Sequence, residues 1–221
     1  MSLRRDDLAS DAFEARILEL LPPGYMTFLT PQQRDDSLRA TLDEAPEGDV
    51  WLFGYGSLMW NPAIHHEEQA LCLLRGWHRR FCLWTPLGRG TVERPGLVLG
   101  LERGGACKGM AFRIPRAAAE HELRLVWRRE MLTGGYVPRW VNLDTADGPV
   151  RAVTFVINRA GPRYAGRMCE FETAATIATA EGFLGTCRAY LEESIRALAA
   201  HGIRDRHLHR LQHLVSIHPN G

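Results

Sequence analysis

Residues 50–62 read VWLFGYGSLMWNP. A run of strand-forming apolar residues ends in a Gly-x-Gly turn, followed by a serine, a short apolar stretch and a proline. A dinucleotide fingerprint would need a third glycine where Met59 stands, and Pro62 opposes an uninterrupted helix after the turn. No lysine follows, so the stretch is not a phosphate-binding P-loop. Two readings stay open. The glycines serve a tight structural turn, or Gly54 and Gly56 let successive backbone N–H groups converge, with Ser57 adding a hydroxyl. Such a nest suits a carboxylate or a developing oxyanion.

Working outward, the chain from residue 50 is rich in strand signals. Candidate strands are 50–55, 70–75, 78–84, 97–101, 107–114, 136–143 and 150–157, separated by the turn-forming stretches GRGTVERPG, ERGGA and TADGP. One helix interrupts them, over about 116–132, opened by Pro115 and closed by Gly134 and Gly135. After residue 170 the pattern is helical: ETAATIATAEGF, TCRAYLEESIRALAAHG and RDRHLHRLQHLV. Before residue 50 two short helices with polar outer faces are expected. Thr30 is the N-cap of the second, with Pro31 at its first position and Gln33 completing a capping box. The expected division is an N-terminal helical extension, 1–49, docked on a domain over 50–217. The expected class is α+β, a small closed or half-closed β-barrel flanked by helices, which disposes of sheet edges.

Composition narrows the function. Of 221 residues, 45% are apolar and 24% charged, and the net charge is +1, so electrostatics favours neither a nucleic-acid nor a membrane partner. The five cysteines form no CxxC pair, and reduced thiols in a cytoplasmic protein are expected. No apolar run is long enough for a membrane span, and the acid-rich N-terminus does not read as a signal peptide. The size suits a monomer, with the oligomeric state left open.

The helix AAAEHELRLVWRREMLTGG carries an anomaly. Leu123, Val126 and Trp127 form an apolar stripe, and at about 100° per residue Glu130 falls on the same face. Arg128 and Arg129 are expected to point elsewhere. An inward carboxylate is costly unless paired or functional. In the last helical turn the dipole also disfavours its charge, so burial and dipole both push its pKa up, as a general base requires. The alternative is a structural glutamate paired with Arg128, Arg139 or another arginine. His207, His209 and His213 are weaker candidates. His209 and His213 share a helix face, but no matching acid or cysteine cluster accompanies them.

Taken together, GYGSLMWNP, GWHRRFC, GRGT, WRREMLTGGYVPRW and GFLGTCRAYL resemble the ChaC family, the glutathione-specific γ-glutamylcyclotransferases, over about residues 50–215. The resemblance implies a γ-glutamylcyclotransferase-like small mixed β-barrel flanked by helices. It also implies a lyase that closes the γ-glutamyl group of glutathione to 5-oxoproline and releases Cys-Gly, with no water, metal or cofactor taking part. Glu130 would be the proton acceptor, and Gly54, Tyr55, Gly56, Ser57, Leu58 and Met59 the substrate-binding loop. Arg79, Arg89 and Tyr190 match positions lining the pocket. The chain departs from the family at Gly185-Thr186-Cys187, where relatives commonly carry an asparagine before the tyrosine helix. Rival readings are a cyclotransferase for other γ-glutamyl amino acids or amines on the same fold, a non-catalytic anion-binding barrel, and a metal-dependent hydrolase using the C-terminal histidines.

Overall fold

The computed structural model describes residues 4–10 and 12–219. In chain order the helices are α1 (Arg5–Ala9), α2 (Ala12–Glu19), α3 (Pro31–Asp43), α4 (Arg116–Glu130), α5 (Glu170–Thr179), α6 (Cys187–Ala200) and α7 (Arg206–Ser216). The strands are β1 (Val50–Gly54), β2 (Glu68–Thr85), β3 (Gly96–Ile114), β4 (Tyr136–Thr145), β5 (Gly148–Ile157) and a small ribbon of β6 (Glu181–Gly182) with β7 (Gly185–Thr186). Strands β1 to β5 close into a barrel in the order β1-β3-β2-β4-β5. Closure is made by parallel pairing of β5 with β1, Trp51 beside Ala152 and Leu52 beside Val153. This resolves the open choice between a closed and a half-closed barrel.

The four strands expected over 70–84 and 97–114 are two. Residues 68–85 and 96–114 each run as one long strand, paired antiparallel with register shifts between Arg75 and Trp77 and between Phe81 and Leu83. The stretch ERGGA, expected as a turn, is a kink within β3. Gly76, Gly104 and Gly105 all adopt positive φ, so the paired strands bend together without breaking. Bending lets long strands wrap a small barrel, which flat strands cannot do.

Helix α4 packs its predicted stripe inward. Leu123, Val126 and Trp127 are all buried in the main core. The Trp127 ring meets Phe155 edge-on at 4.9 Å, and its Nε1 donates to Ser37 Oγ at 3.2 Å. One side chain thus joins α3, α4 and β5. The α3 capping box forms as expected, Thr30 Oγ1 accepting from Gln33 N and Gln33 Oε1 from Thr30 N.

The segment before residue 50 holds three helices, α1 to α3, in place of the two expected. It docks by buried polar contacts. Arg5 donates to both carboxylate oxygens of Glu122 and Trp140 Nε1 donates to Thr41 O, while Arg34 pairs with Glu14 within the segment itself. Cys72, Cys82, Cys107 and Cys187 are buried and reduced, and Cys169 is exposed. No described helix is long and apolar enough to cross a membrane.

Trp127→Ala should destabilise the chain by about 3–5 kcal/mol, the usual cost of deleting a buried aromatic ring. A urea unfolding midpoint unchanged from wild type would show that α4 is not seated through this ring.

Candidate active site

Where β1 leaves the barrel, Gly54 ends the strand and Ser57–Met59 form a single 3-10 turn. Gly109 of β3 lies so close beneath that a Cβ there would come within 2.4 Å of Gly54 O. Neither Gly54 nor Gly56 has positive φ, so the expected convergence of amides through left-handed glycines does not occur. Gly56 is needed for space. A Cβ on it would sit 3.2 Å from Tyr190 Oη and 3.7 Å from Leu99.

The loop is nonetheless built for an anion. Arg79 Nη1 donates to Tyr55 O at 2.7 Å. In a trans peptide the next N–H points opposite to the carbonyl, so the Gly56 N–H is turned away from Arg79. Among the described residues the N–H groups of Gly56, Ser57 and Leu58 donate to no protein acceptor. Gly56, Ser57 and Leu58 line a small inner cavity together with Tyr55, Leu99, Glu130, Tyr136, Phe155 and Tyr190.

Beside that inner cavity lies a cleft of about 200 Å³. Ser57, Glu130, Tyr136 and Tyr190 border both. Glu130 is the last residue of α4, with its side chain 13% exposed. Burial raises its pKa from the ordinary carboxylate value, and the Arg129 guanidinium pulls the other way. Arg129 does not point elsewhere, as expected from the sequence. Its Nε lies 3.0 Å from Glu130 Oε1, while Nη2 donates to Ser57 Oγ at 2.5 Å and Nη1 to Asn61 O at 2.7 Å. One guanidinium therefore joins the carboxylate to the loop. The side chain is long enough to reach back past its own turn, which helical periodicity alone does not register.

Three tyrosines surround the acid. Tyr55 Oη donates to Phe155 O at 2.8 Å and Tyr136 Oη to Leu99 O at 2.7 Å, while Tyr190 Oη accepts from Leu99 N at 3.4 Å. Burial lifts all three phenol pKa values, Tyr190 to about 12, and the nearby Glu130 charge adds to the effect. They stay neutral at physiological pH.

Arg89 lines the cleft, with Nη2 3.3 Å from Glu193 Oε2 and its guanidinium 5.7 Å from the Tyr190 ring centre. Arg79, expected at the pocket, is buried behind the loop instead. There it binds Tyr55 O and Lys108 O and lies 3.2 Å from Asp205 Oδ2. Gly54 and Met59 belong to the loop but not to the lining of either cavity, and Met59 Sδ sits 3.9 Å from Arg79 Nη1. Residues that sequence reasoning missed are Trp60, Tyr136, Arg163, Phe183 and, from α2, Ile17. Nothing in their local pattern separates them from core or surface residues.

Residues 185–187, expected to depart from the family pattern, are held locally. Thr186 Oγ1 caps α6 through Ala189 N, and the Cys187 thiol donates to Leu97 O at 2.9 Å. His209 and His213 flank a separate depression with Arg188 and Glu192, and His209 Nδ1 lies 2.7 Å from Asp205 O. No group of three or more His, Cys, Asp or Glu side chains that could hold a metal occurs among the described residues.

The family model described as ChaC-like protein matches residues 50–218. The chain belongs to the ChaC-like family. A glutathione-specific γ-glutamylcyclotransferase of Escherichia coli K12 is 46% identical over 188 residues, 84% of this chain and 80% of that one. That share exceeds what residues 50–221 supply, so the likeness reaches into the N-terminal segment. A glutathione-specific γ-glutamylcyclotransferase of Schizosaccharomyces pombe is 32% identical over 176 residues, 70% of this chain and 85% of that one. In fold, this ChaC-like chain matches the crystal structure of a yeast γ-glutamylcyclotransferase specific to glutathione. The TM-score is 0.71 at 21% identity, over 77% of this chain and 96% of that one. The α+β γ-glutamylcyclotransferase-like barrel is therefore the fold of this ChaC-like protein.

Gly56→Val should lower turnover at least tenfold while preserving the circular dichroism spectrum, because the new side chain must displace Tyr190 from the cavity wall. Kinetics equal to wild type would show that the Gly56–Tyr190 contact does not shape the site.

Proposed function

We propose that this chain cyclises the γ-glutamyl group of glutathione, releasing 5-oxoproline and Cys-Gly, with Glu130 as the general base. One observation carries the reading: a largely desolvated carboxylate and a row of unengaged backbone amides border the same small cavity. The names of the bacterial and fission-yeast relatives supply the substrate class.

The chemistry follows from these groups. At neutral pH the substrate's α-amine is an ammonium and cannot attack. Glu130 takes a proton from it, a transfer favoured by the raised pKa of a buried acid. The freed amine attacks the γ-carbonyl carbon of the same molecule, forming the C–N bond of a five-membered lactam. The tetrahedral oxyanion is met by the amides of Gly56, Ser57 and Leu58. When the bond to the cysteinyl nitrogen breaks, the protonated Glu130 returns its proton to that leaving nitrogen, and the second proton of the attacking nitrogen, which the lactam does not keep, leaves with Cys-Gly as its ammonium. No water enters the balance. Nucleophile and electrophile are already joined, so the protein mainly folds the γ-glutamyl arm into an attacking geometry and fixes charges around it. Arg129 keeps Glu130 ionised enough to act as a base and ties it to Ser57.

Purified protein incubated with glutathione should yield 5-oxoproline and Cys-Gly in equal amounts by mass spectrometry. Glu130→Gln should lower turnover by a factor of at least about 10²–10⁴, the usual worth of a general base, with the fold intact. Free glutamate among the products, or a Gln variant near wild-type rate, would refute this mechanism.

The pH profile gives a second check. Because the carboxylate form is the base, kcat/KM falls as pH drops through the Glu130 pKa. Arg129 lowers that pKa, so Arg129→Met should move the acid limb to higher pH. A limb that stays in place, or moves to lower pH, would assign it to another group.

A further inference from the structure

Among the described residues three arginines line the cleft, and they differ in what answers their charge. Arg129 lies against Glu130, and Arg89 against Glu193. Arg163 pairs with no carboxylate among the described residues. Its guanidinium donates to two neutral groups, Trp84 O at 3.2 Å and Thr133 Oγ1. Burial lowers its pKa from the ordinary value, with Tyr136 opposing the shift. A half-buried cation bonded only to neutral acceptors recovers little of the hydration it gave up, and it gains most from an incoming anion.

Arg163 is also held in place before any ligand arrives. Its carbonyl accepts from Trp84 N at 2.9 Å, and Ala165 N donates to Cys82 O at 2.9 Å. The next residue, Tyr164, bridges to Leu83, and its Oη donates to Glu102 Oε1 at 2.7 Å. Arg80 donates to Gly166 O at 2.6 Å. On the other side, a Cβ at Gly135 would come within 2.4 Å of Arg163 Nη2, so a glycine there leaves the guanidinium its room. The segment is annealed to the edge of β2, and the charge is presented to the cleft beside Leu83, Thr133 and Tyr136.

We infer that Arg163 receives the C-terminal carboxylate of the substrate's peptide half, which makes it a specificity residue for the far end of the tripeptide. The inference rests on the proposed function, in which the γ-carbonyl lies between Glu130 and the Gly56–Leu58 amides. From there the Cys-Gly half spans two residues, at most about 7 Å when extended. Thr133, which Arg163 contacts, stands three residues beyond Glu130 in the turn that follows α4. The substrate's other carboxylate is bonded to the carbon that carries the attacking amine, so it must stay in the inner cavity. Arg89 is already answered by Glu193.

The test compares glutathione with its glycyl monoethyl ester, which keeps the γ-glutamyl group and the thiol but loses the terminal charge. Wild type should process the ester roughly ten- to a hundredfold less efficiently in kcat/KM, mainly through KM, as loss of a charge-assisted bidentate contact would give. Arg163→Gln should lose a similar factor on glutathione and nothing further on the ester, so that the preference disappears. Arg163→Lys should keep only part of it. Equal efficiency of wild type on acid and ester overturns the inference, whether or not the Gln variant folds. A wild-type preference that persists undiminished in either variant also overturns it. If wild type forms no 5-oxoproline from glutathione, the proposed function fails separately. Calorimetric Kd values for acid and ester then decide about Arg163, equal values counting against it and tighter binding of the acid, lost in the Gln variant, supporting it.

Discussion

Arg79 is the constraint around which the site is assembled. Its guanidinium is buried between β2, β3, the loop after β1 and the start of α7, and each contact fixes a different element. Holding the Tyr55 carbonyl decides which way the following amides face. Pairing with Asp205 does something further, because Asp205 Oδ1 also accepts from His207 N and Leu208 N. The same carboxylate thus caps α7 and offsets the arginine, which draws the C-terminal helix against the back of the loop. A charge so deeply placed is tolerated because carbonyls and one carboxylate surround it.

The front of the loop depends on the opposite compromise. Glu130 terminates a helix whose inward face one turn earlier is the buried Trp127 beside Val126, and it faces three neutral phenols. Only Arg129 lies within ion-pair distance of it among the described residues. Packing alone would favour a leucine there. The acid is retained at a cost that the surrounding core must offset, and Trp127, one helical turn earlier, supplies much of the local burial that does so. The two arginines therefore divide the labour around one short loop, Arg79 setting backbone direction from behind and Arg129 coupling it to the acid in front.

Much of this was legible in the sequence. The stripe of α4, the capping box of α3 and the helical C-terminus follow from periodicity and cap chemistry, and the barrel from the run of strands with a single helix between them. The placement of Glu130 on the buried face was visible because helical phase depends only on local spacing. The joining of β2 and of β3 into single long strands was not, since Gly76, Gly104 and Gly105 look the same in a turn and in a bulge until the partner strand is known. Arginine roles were the least legible. Arg79, Arg129 and Arg163 have long side chains whose direction is set by tertiary neighbours, so one expected in the pocket lies behind it and two not expected there line it. Ile17 was hidden for another reason: it reaches the cleft from a helix outside the matched domain.

The sulfur chemistry of the barrel carries a last consequence. Cys72 and Cys82 are held by burial at pKa values of about 12, Cys187 at about 11, and Cys107 is raised as well. At neutral pH these four groups carry almost no thiolate, and none of them borders the cleft. Exchange with a soluble disulfide needs both a thiolate and access. On the proposed function the protein handles a tripeptide thiol and so also meets that thiol's oxidised form, towards which the interior of this barrel is chemically silent.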